Sequence, residues 1–207
     1  MKRTTRNAAK TKQEIIEKSA PVFNVNGYAG TKMQMLIEAT GYQMGGIYRH
    51  FGTKMDLAKA VFQYNYEIVV KANLTFDETL NPKEKLLMIA SNYSKMVMTP
   101  KVKGGCPLMN TITEFDDPKK TDEDSRQMNQ LAKTFTKEVI QILQNILEEG
   151  QSTGHFQPNI HPQKEAQYIL ASFQGAILLG QITKKGHVVL GVFDKIVDYL
   201  ERCVFVS

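Results

Sequence analysis

The side chains most able to do chemistry are concentrated between residues 41 and 57. Gln43, Tyr48, Arg49 and His50 can donate hydrogen bonds to phosphate oxygens and to base edges. The guanidinium fork of Arg49 can pair with guanine, and the amide of Gln43 can read adenine. Their residue types and close spacing therefore point to contacts with nucleic acid.

Two short helices joined by a glycine turn must position these side chains. Gly41 makes the turn, and the helix of about residues 43–50 follows it. Thr53 is predicted to cap the next helix, with Asp56 completing a capping box. We expect Thr31 to cap the helix before the turn. This arrangement has the form of a helix-turn-helix, whose second helix enters the major groove.

Residues 31–57 resemble the TetR/AcrR family of one-component transcriptional regulators. The resemblance rests on a threonine that opens the second helix, on Gly41, and on the run Ile47-Tyr48-x-His50-Phe51-x-x-Lys54-x-x-Leu57. The preceding segment also matches, through Ile15, Ala20, Phe23 and Gly27-Tyr28. The sequence departs from the family pattern at Ile37, Thr40, Gln43 and Gly46.

The resemblance implies an all-α fold: an N-terminal three-helix DNA-binding domain at residues 1–54 and a C-terminal helical ligand-binding and dimerisation domain at residues 55–207. A helix from residue 53 to about residue 74 would connect the two domains. The implied protein is a homodimeric repressor that binds a palindromic DNA operator and is released by a small apolar or electrophilic effector. The predicted DNA contacts are Thr31, Lys32, Gln43, Met44, Gly45, Gly46, Tyr48, Arg49, His50 and Lys54.

The charge distribution favours the same end of the chain. Residues 1–60 hold ten Lys and Arg against four Asp and Glu, whereas the remainder holds 16 against 17. A localised basic excess is typical of phosphate binding. The alternative is a solvated basic tail, which is equally compatible with Lys2, Arg3 and Arg6 alone.

Composition excludes several other classes. Apolar content of 42% and charged content of 23% are ordinary for a globular protein, and no apolar run is long enough for a bilayer. The first residues lack the apolar core of a signal peptide, so we expect a cytoplasmic protein. Cys106 and Cys203 lie far apart, and the four histidines have no ligand spacing, so neither a disulfide, a metal nor a cofactor is predicted.

Apolar periodicity predicts further helices along the rest of the chain. They cover about residues 82–99, 107–115, 123–149, 163–184 and 192–205, and the first helix covers about residues 10–24 and ends at Gly27. Asn81 and Cys106 each precede a proline that suits the first helical position. Gly150 is expected to end the helix before it. Alternating apolar runs are scarce, so no sheet is predicted.

The last two predicted helices are apolar around most of their circumference. Such helices must be buried on several sides, and a four-helix bundle between two subunits would achieve this. The predicted interface comprises Ala171, Ser172, Gly175, Ala176, Leu179, Phe193, Ile196, Val197 and Leu200. The alternative is that these residues form the core of a monomer.

Soft apolar and aromatic side chains in the middle of the chain predict a ligand pocket, although most such residues are ordinary core. The candidates are Met88, Tyr93, Met96, Cys106, Met109, Phe115, Met128, Phe135 and Phe173. Cys106 at a helix start, near Lys101 and Lys103, could be an acidic thiol that senses electrophiles, or inert packing. The acidic cluster at residues 114–117 is interpreted as a solvated face.

Two other functions stay open at this point. A DNA-packaging protein without sequence preference would also need the basic segment. A helical enzyme is less favoured, because the sequence contains no phosphate loop, nucleophile elbow or paired carboxylates that would support one.

Overall fold

In the computed structural model of the protein, residues 2–206 are described, with side chains from Asn7 onward. The basic side chains of Lys2, Arg3 and Arg6 lie outside the described residues. The predicted all-α fold is confirmed, because the β-structure given for the described residues is one isolated bridge between Phe156 and Phe205. The helices are α1 (Lys2–Gly30), α2 (Met33–Thr40), α3 (Met44–Phe51), α4 (Lys54–Asn65), α5 (Pro82–Met98), α6 (Pro107–Phe115), α7 (Glu123–Ser152), α8 (Pro162–Thr183) and α9 (Gly186–Tyr199).

The chain forms two compact units, and each unit combines two separate stretches of the sequence. The first comprises Met1–Ile68 and Val102–Ala132, and the second comprises Val69–Lys101 and Lys133–Ser207. Both α6 and the start of α7 therefore belong with the N-terminal helices. The boundary predicted between residues 54 and 55 stays a prediction.

In the first unit, α1 packs against α2, α3, α4 and α6. The buried side chains that hold these helices together include Ile15, Leu36, Ile47 and Leu57, each at most 1% exposed. Their burial explains why the two short helices α2 and α3 can be stable, since helices of eight residues are marginal in isolation. The packed frame fixes the position of α3.

Helix α1 is interrupted at Gly27, where the sequence predicted that it would end. Gly27 has φ 68° and ψ 177°, a conformation that favours glycine. Helical residues continue beyond this break to Gly30. Consequently, the backbone amides of Tyr28 and Ala29 lack the helical partners that an unbroken helix would give them.

The predicted caps of α4 and α5 are confirmed. Thr53 Oγ1 accepts from the N–H of Asp56 at 3.0 Å, and the Asp56 carboxylate accepts from the N–H of Thr53 at 3.0 Å. Asn81 and Glu84 make the equivalent pair at the start of α5. The continuation of α4 is less regular than predicted, with a π-helical turn at Tyr66–Val70 and a 3-10 turn at Lys71–Leu74.

In the second unit, α9 packs against α5 and α8. Its centre is a stack of rings in which Tyr93 lies 4.7 Å from Phe173, and Phe173 lies 5.5 Å from Phe193. Two predicted helix ends are wrong. α7 continues past Gly150 to Ser152, and α9 begins at Gly186 instead of near residue 192. Glycine at position 150 leaves room for the ring of Phe156, which packs where a side chain would be.

Candidate nucleic-acid interface

Helix α3 has one buried face and one exposed face. Ile47 and Phe51 are 1% and 6% exposed and fix the helix against its unit. Gln43, at the N-cap, and Arg49 are exposed on the other side. The amide and guanidinium groups that the sequence singled out are therefore accessible to a macromolecule.

The other predicted contacts on α3 lie around this exposed face. Met44 is 47% exposed, and Gly45 is exposed with no atom within 4 Å of where a Cβ would stand. Gly46, Tyr48 and His50 are half-buried. The face therefore combines hydrogen-bond donors with a stretch of bare backbone, which permits close approach to a ligand.

Thr31 requires a correction, because it neither caps α2 nor lies at the surface. Lys32 occupies the N-cap position of α2 and is exposed. Thr31 is 1% exposed, and its hydroxyl donates to the carbonyl of Gly27 at 2.6 Å. It stabilises the chain after the break in α1, and its burial removes it from the predicted DNA contacts.

Lys54 is half-buried and already engaged within the protein. Its Nζ donates to the carbonyl of Tyr28 at 2.6 Å and lies 4.2 Å from the centre of the Tyr28 ring. Burial lowers the pKa of Lys54, and the charge of Glu114 acts in the opposite direction. The position at the start of α4 suits phosphate binding, and the contacts with Tyr28 add a structural role that the sequence did not suggest.

Glu114 holds the same short segment from the other side. Its carboxylate accepts hydrogen bonds from the N–H groups of Tyr28 and Ala29, both at 2.7 Å. A Cβ at Gly27 would stand 2.7 Å from Glu114 Oε2, so glycine leaves room for the carboxylate. The interpretation of residues 114–117 as a solvated face is wrong for Glu114 and for the buried Phe115.

Two asparagines fix the loop that precedes α6. Asn24 Nδ2 donates to the carbonyls of Lys103 and Gly105 at 2.8 and 3.1 Å. Asn110 Nδ2 donates to the carbonyls of Asn24 and Gly104 at 3.0 and 2.8 Å. Sequence reasoning missed this network, because its members are separated by up to 86 residues.

Cys106 lies at the N-cap of α6 with Pro107 at the first helical position, as predicted. Its side chain makes no capping hydrogen bond, however, and it is 4% exposed. Cys203 is exposed. The burial of Cys106 therefore favours inert packing over the alternative of a thiol that senses electrophiles.

The nine predicted pocket residues do not form one group. Phe115 and Met128 line a cavity of about 40 Å³ in the first unit, whereas Tyr93 and Phe173 stack on each other in the second. Phe135 is buried and Met96 is half-buried. Met88 and Met109 are 37% and 47% exposed, so their assignment to an enclosed pocket is wrong.

The predicted dimer residues also separate into two groups. Ala176, Phe193, Ile196 and Leu200 are at most 5% exposed and pack inside the second unit, so burial removes them from the predicted interface. Ala171, Gly175 and Leu179 are exposed, and Ser172 and Val197 are half-buried. The structure adds exposed apolar side chains that the prediction omitted, namely Tyr168, Leu178, Ile182 and Leu190.

The described part of the chain offers little for other kinds of site. No helix within residues 2–206 is long and apolar enough to cross a membrane. The same residues contain no cluster of three or more His, Cys, Asp or Glu side chains arranged to hold a metal ion. The accessible polar face of α3, fixed on a three-helix frame, is the feature that defines a class, namely the helix-turn-helix DNA-binding proteins.

Comparison with known proteins identifies the family within that class. Residues 15–61 match the model of the bacterial regulatory proteins of the tetR family, and residues 82–194 match the tetracyclin repressor-like C-terminal domain. The chain therefore belongs to the TetR family of transcriptional regulators. Since the family and its relatives are regulators, the chain is not an enzyme, as predicted.

Individual relatives agree with this assignment. The chain is 28% identical to the HTH-type transcriptional repressor DhaR of Mycobacterium sp. (strain GP1) over 84% of this chain and 83% of DhaR. A TetR-family regulator from Cytophaga hutchinsonii is 32% identical with a TM-score of 0.80, covering 97% and 98% of the two chains. A TetR regulator from Chloroflexus aurantiacus is 25% identical with a TM-score of 0.87, covering 98% and 100%.

Proposed function

We propose that the protein is a dimeric repressor that binds a palindromic operator through α3 of each subunit and is released by a small apolar effector. The observation that carries the proposal is the exposed polar face of α3, held in place by the buried Ile47 and Phe51. Repression is supported by the likeness to DhaR, which is named as a repressor.

A dimer is supported by the exposed apolar face of α8 and α9. Leu178 and Ile182, four residues apart on α8, are 56% and 69% exposed, and Leu190 on α9 is 43% exposed. Exposed apolar patches mark interaction sites. Gly175 and Gly191 are exposed on the same two helices, and a Cβ at either would meet nothing within 4 Å. Their missing side chains would let helices of a second subunit approach closely.

The effector proposal rests on the second unit. Tyr93, Phe173 and Phe193 form a connected aromatic stack, with the half-buried Met96 on the same helix as Tyr93. Such side chains adapt to apolar ligands. An electrophilic effector acting on Cys106 is less favoured, because the thiol is buried.

Release would follow from a change in the spacing of the two α3 helices. Half-sites one helical turn apart accept both helices only at a matching separation. An effector that binds the released conformation more tightly than the DNA-bound one would shift the population away from the operator. The helix that begins at Lys54 would carry the movement.

The experiment is selection of bound sequences from random DNA, followed by footprinting on the selected site. The proposal requires a short palindromic protected site and weaker binding to that site by Arg49→Ala. Uniform protection of any DNA would instead support the packaging function. Sedimentation of the free protein then tests the dimer independently of DNA.

A further inference from the structure

A small cavity in the first unit combines aromatic rings with a carboxylate. It has a volume of about 40 Å³ and is lined by residues of α1, α4, α6 and α7. One water molecule needs roughly 10–15 Å³ of such volume, so the cavity has room for a compact group of a few non-hydrogen atoms. It is separate from the aromatic stack of the second unit.

Four aromatic side chains line this cavity, namely Phe23, Tyr28, Phe62 and Phe115. Aromatic faces attract cations, and the attraction grows when water is excluded. The chain itself already uses two of these rings in this way. Lys54 Nζ lies 4.2 Å from the Tyr28 ring centre, and Lys120 Nζ lies 4.9 Å from that of Phe115.

Two polar side chains of the lining offer acceptor oxygens, whereas the amide groups of Asn24 and Asn110, also in the lining, already donate to backbone carbonyls. Asn65 is 2% exposed and lines the cavity, and its Oδ1 has no hydrogen-bond partner among the described residues. A buried carbonyl oxygen without a partner is costly, so it calls for a donor. The Glu114 carboxylate also lines the cavity, and each of its oxygens can accept more than the one hydrogen bond it receives from Tyr28 or Ala29.

The lining of the cavity carries a negative charge. Glu114 is the charged residue of the lining, and neither Lys54 nor Lys120 belongs to it. Outside the lining both signs of charge are present. Burial, Asp124 and Asp122 raise the pKa of Tyr28, and the Lys54 and Lys120 ammonium groups lie over the rings of Tyr28 and Phe115. A carboxylate, an unsatisfied carbonyl oxygen and aromatic faces together match an ammonium group with a short alkyl body.

We propose that this cavity binds a small organic cation, a primary or secondary ammonium of about three to five non-hydrogen atoms. Its N–H groups donate to Glu114 and to Asn65 Oδ1, and its alkyl carbons lie against the aromatic rings. Binding does not depend on the proposed repressor function. An effect of the cation on DNA binding does rest on that proposed function. Glu114 also accepts hydrogen bonds from Tyr28 and Ala29, so the cation and the segment before α2 would share one carboxylate.

Three probes of equal size test the charge requirement on the full-length protein without DNA. Isopropylammonium, isopropanol and acetate are each titrated at constant ionic strength, and methionine methyl groups are followed by NMR. Met128 lines the cavity, whereas Met88 is exposed and serves as the internal control. We expect isopropylammonium to shift the Met128 methyl saturably, isopropanol to bind at least about tenfold more weakly, and acetate to have no effect.

Variants of the lining test the assignment of the contacts. Asn65→Leu should weaken isopropylammonium binding by about tenfold, and Asn65→Asp should strengthen it by a similar factor. Glu114→Gln should abolish it, whereas Glu201→Gln, the same charge change at an exposed residue outside the lining, should not alter it. If Glu114→Gln does not fold, the affinity of Asn65→Asp for isopropylammonium still tests whether residue 65 contacts the cation.

Two outcomes would overturn the proposal. Equal binding of isopropylammonium and isopropanol would mean an apolar cavity without charge selection. An unmoved Met128 methyl with every probe would mean that ordered water alone fills the space. Operator affinity measured with and without isopropylammonium is a separate arm, so a failure of DNA binding is distinguishable from a failure of cation binding.

Discussion

Lys54 and Tyr28 are joined by two contacts of one ammonium group. The Lys54 Nζ donates to the Tyr28 carbonyl at 2.6 Å and lies 4.2 Å from the centre of its ring. The N–H of the same Tyr28 is held by Glu114 at 2.7 Å. The segment after the break in α1 is therefore fixed by a cation at its carbonyl and by an anion at its amides.

Lys54→Met tests whether this lysine is structural as well as DNA-binding. Methionine keeps much of the stem but loses the contacts with Tyr28, so we expect a lower free energy of unfolding by about 1 kcal/mol. Operator affinity should also fall, and the salt slope should decrease by about one unit if Lys54 meets a phosphate. Urea unfolding and binding at several salt concentrations measure the two effects.

Lys32→Met is the matched control, because Lys32 is exposed at the start of α2. It should change the salt slope without changing stability. If Lys54→Met gave the same result as Lys32→Met in both assays, the contacts with Tyr28 would have no energetic role.

Arg49→Ala tests direct reading of a base. The side chain is exposed, so we expect stability to change by no more than about 0.5 kcal/mol. Binding to the selected operator should weaken by roughly 1–3 kcal/mol, with relaxed preference at one position. A uniform loss across all sequences would identify Arg49 as a phosphate contact instead.

Features determined by neighbouring residues could be predicted from the sequence. The capping box joins Thr53 and Asp56, which are three positions apart, and Cys106-Pro107 marks a helix start by itself. The contact of Glu114 with Tyr28 joins residues 86 apart, and no local pattern indicates it. An acidic side chain next to Asp116 and Asp117 has the same sequence signature whether it is solvated or bound to backbone amides.

The predicted dimer interface includes residues that are buried inside the subunit, for a related reason. Periodicity shows that α8 and α9 are apolar on more than one side, but it does not show which side packs inside the subunit. Phe193 and Ile196 pack inside, whereas Leu178 and Ile182 remain exposed. Assigning the faces requires the position of α5, which the sequence of α8 and α9 does not contain.

Substitutions at two glycines of α8 should affect different properties, dimerisation at one and the stability of the subunit at the other. A Cβ at Gly175 would meet nothing within 4 Å, whereas one at Gly180 would stand 2.7 Å from Val189 and 3.0 Å from Val97. Gly175→Leu should leave the subunit folded but give monomers with weak operator affinity. Gly180→Leu should instead lower the free energy of unfolding, by about 1–3 kcal/mol.

Sedimentation and circular dichroism distinguish the two variants. Met88→Leu is a control for surface apolarity, because Met88 is exposed on α5, and it should behave as wild type. A Gly175→Leu variant that remained dimeric with full operator affinity would exclude this face of α8 from the interface.

The two cysteines should differ in reactivity. Since Cys203 is exposed and Cys106 is buried, an alkylating reagent at neutral pH should label Cys203 first in the native protein. Cys106 should react at a comparable rate only after unfolding, and operator affinity should not follow the labelling of Cys203. Mass spectrometry at timed intervals measures both. Early labelling of Cys106, with loss of operator binding that Cys106→Ser prevents, would restore the sensing role.

Gly150→Ala sets helix propensity against steric crowding in the last turn of α7. Alanine is favoured over glycine in a helix interior by about 1 kcal/mol, so propensity alone predicts stabilisation. The new Cβ would stand 2.0 Å from Cδ2 of Phe156, far inside van der Waals contact. The Phe156 ring stacks on Phe205 with centroids 5.2 Å apart, which limits how far it can move. We therefore expect net destabilisation of about 1–3 kcal/mol.

A double-mutant cycle with Phe156→Leu checks the cause. Phe156→Leu should itself be destabilising, because it removes the stack on Phe205 and leaves space in the core. The space is adjacent to residue 150, so adding Gly150→Ala in that background should cost much less than in the wild type, or stabilise. Urea unfolding at a fixed subunit concentration measures all four proteins, since dimerisation would make apparent stability depend on concentration. Additive effects would show that Gly150 is required for a reason other than the Phe156 ring.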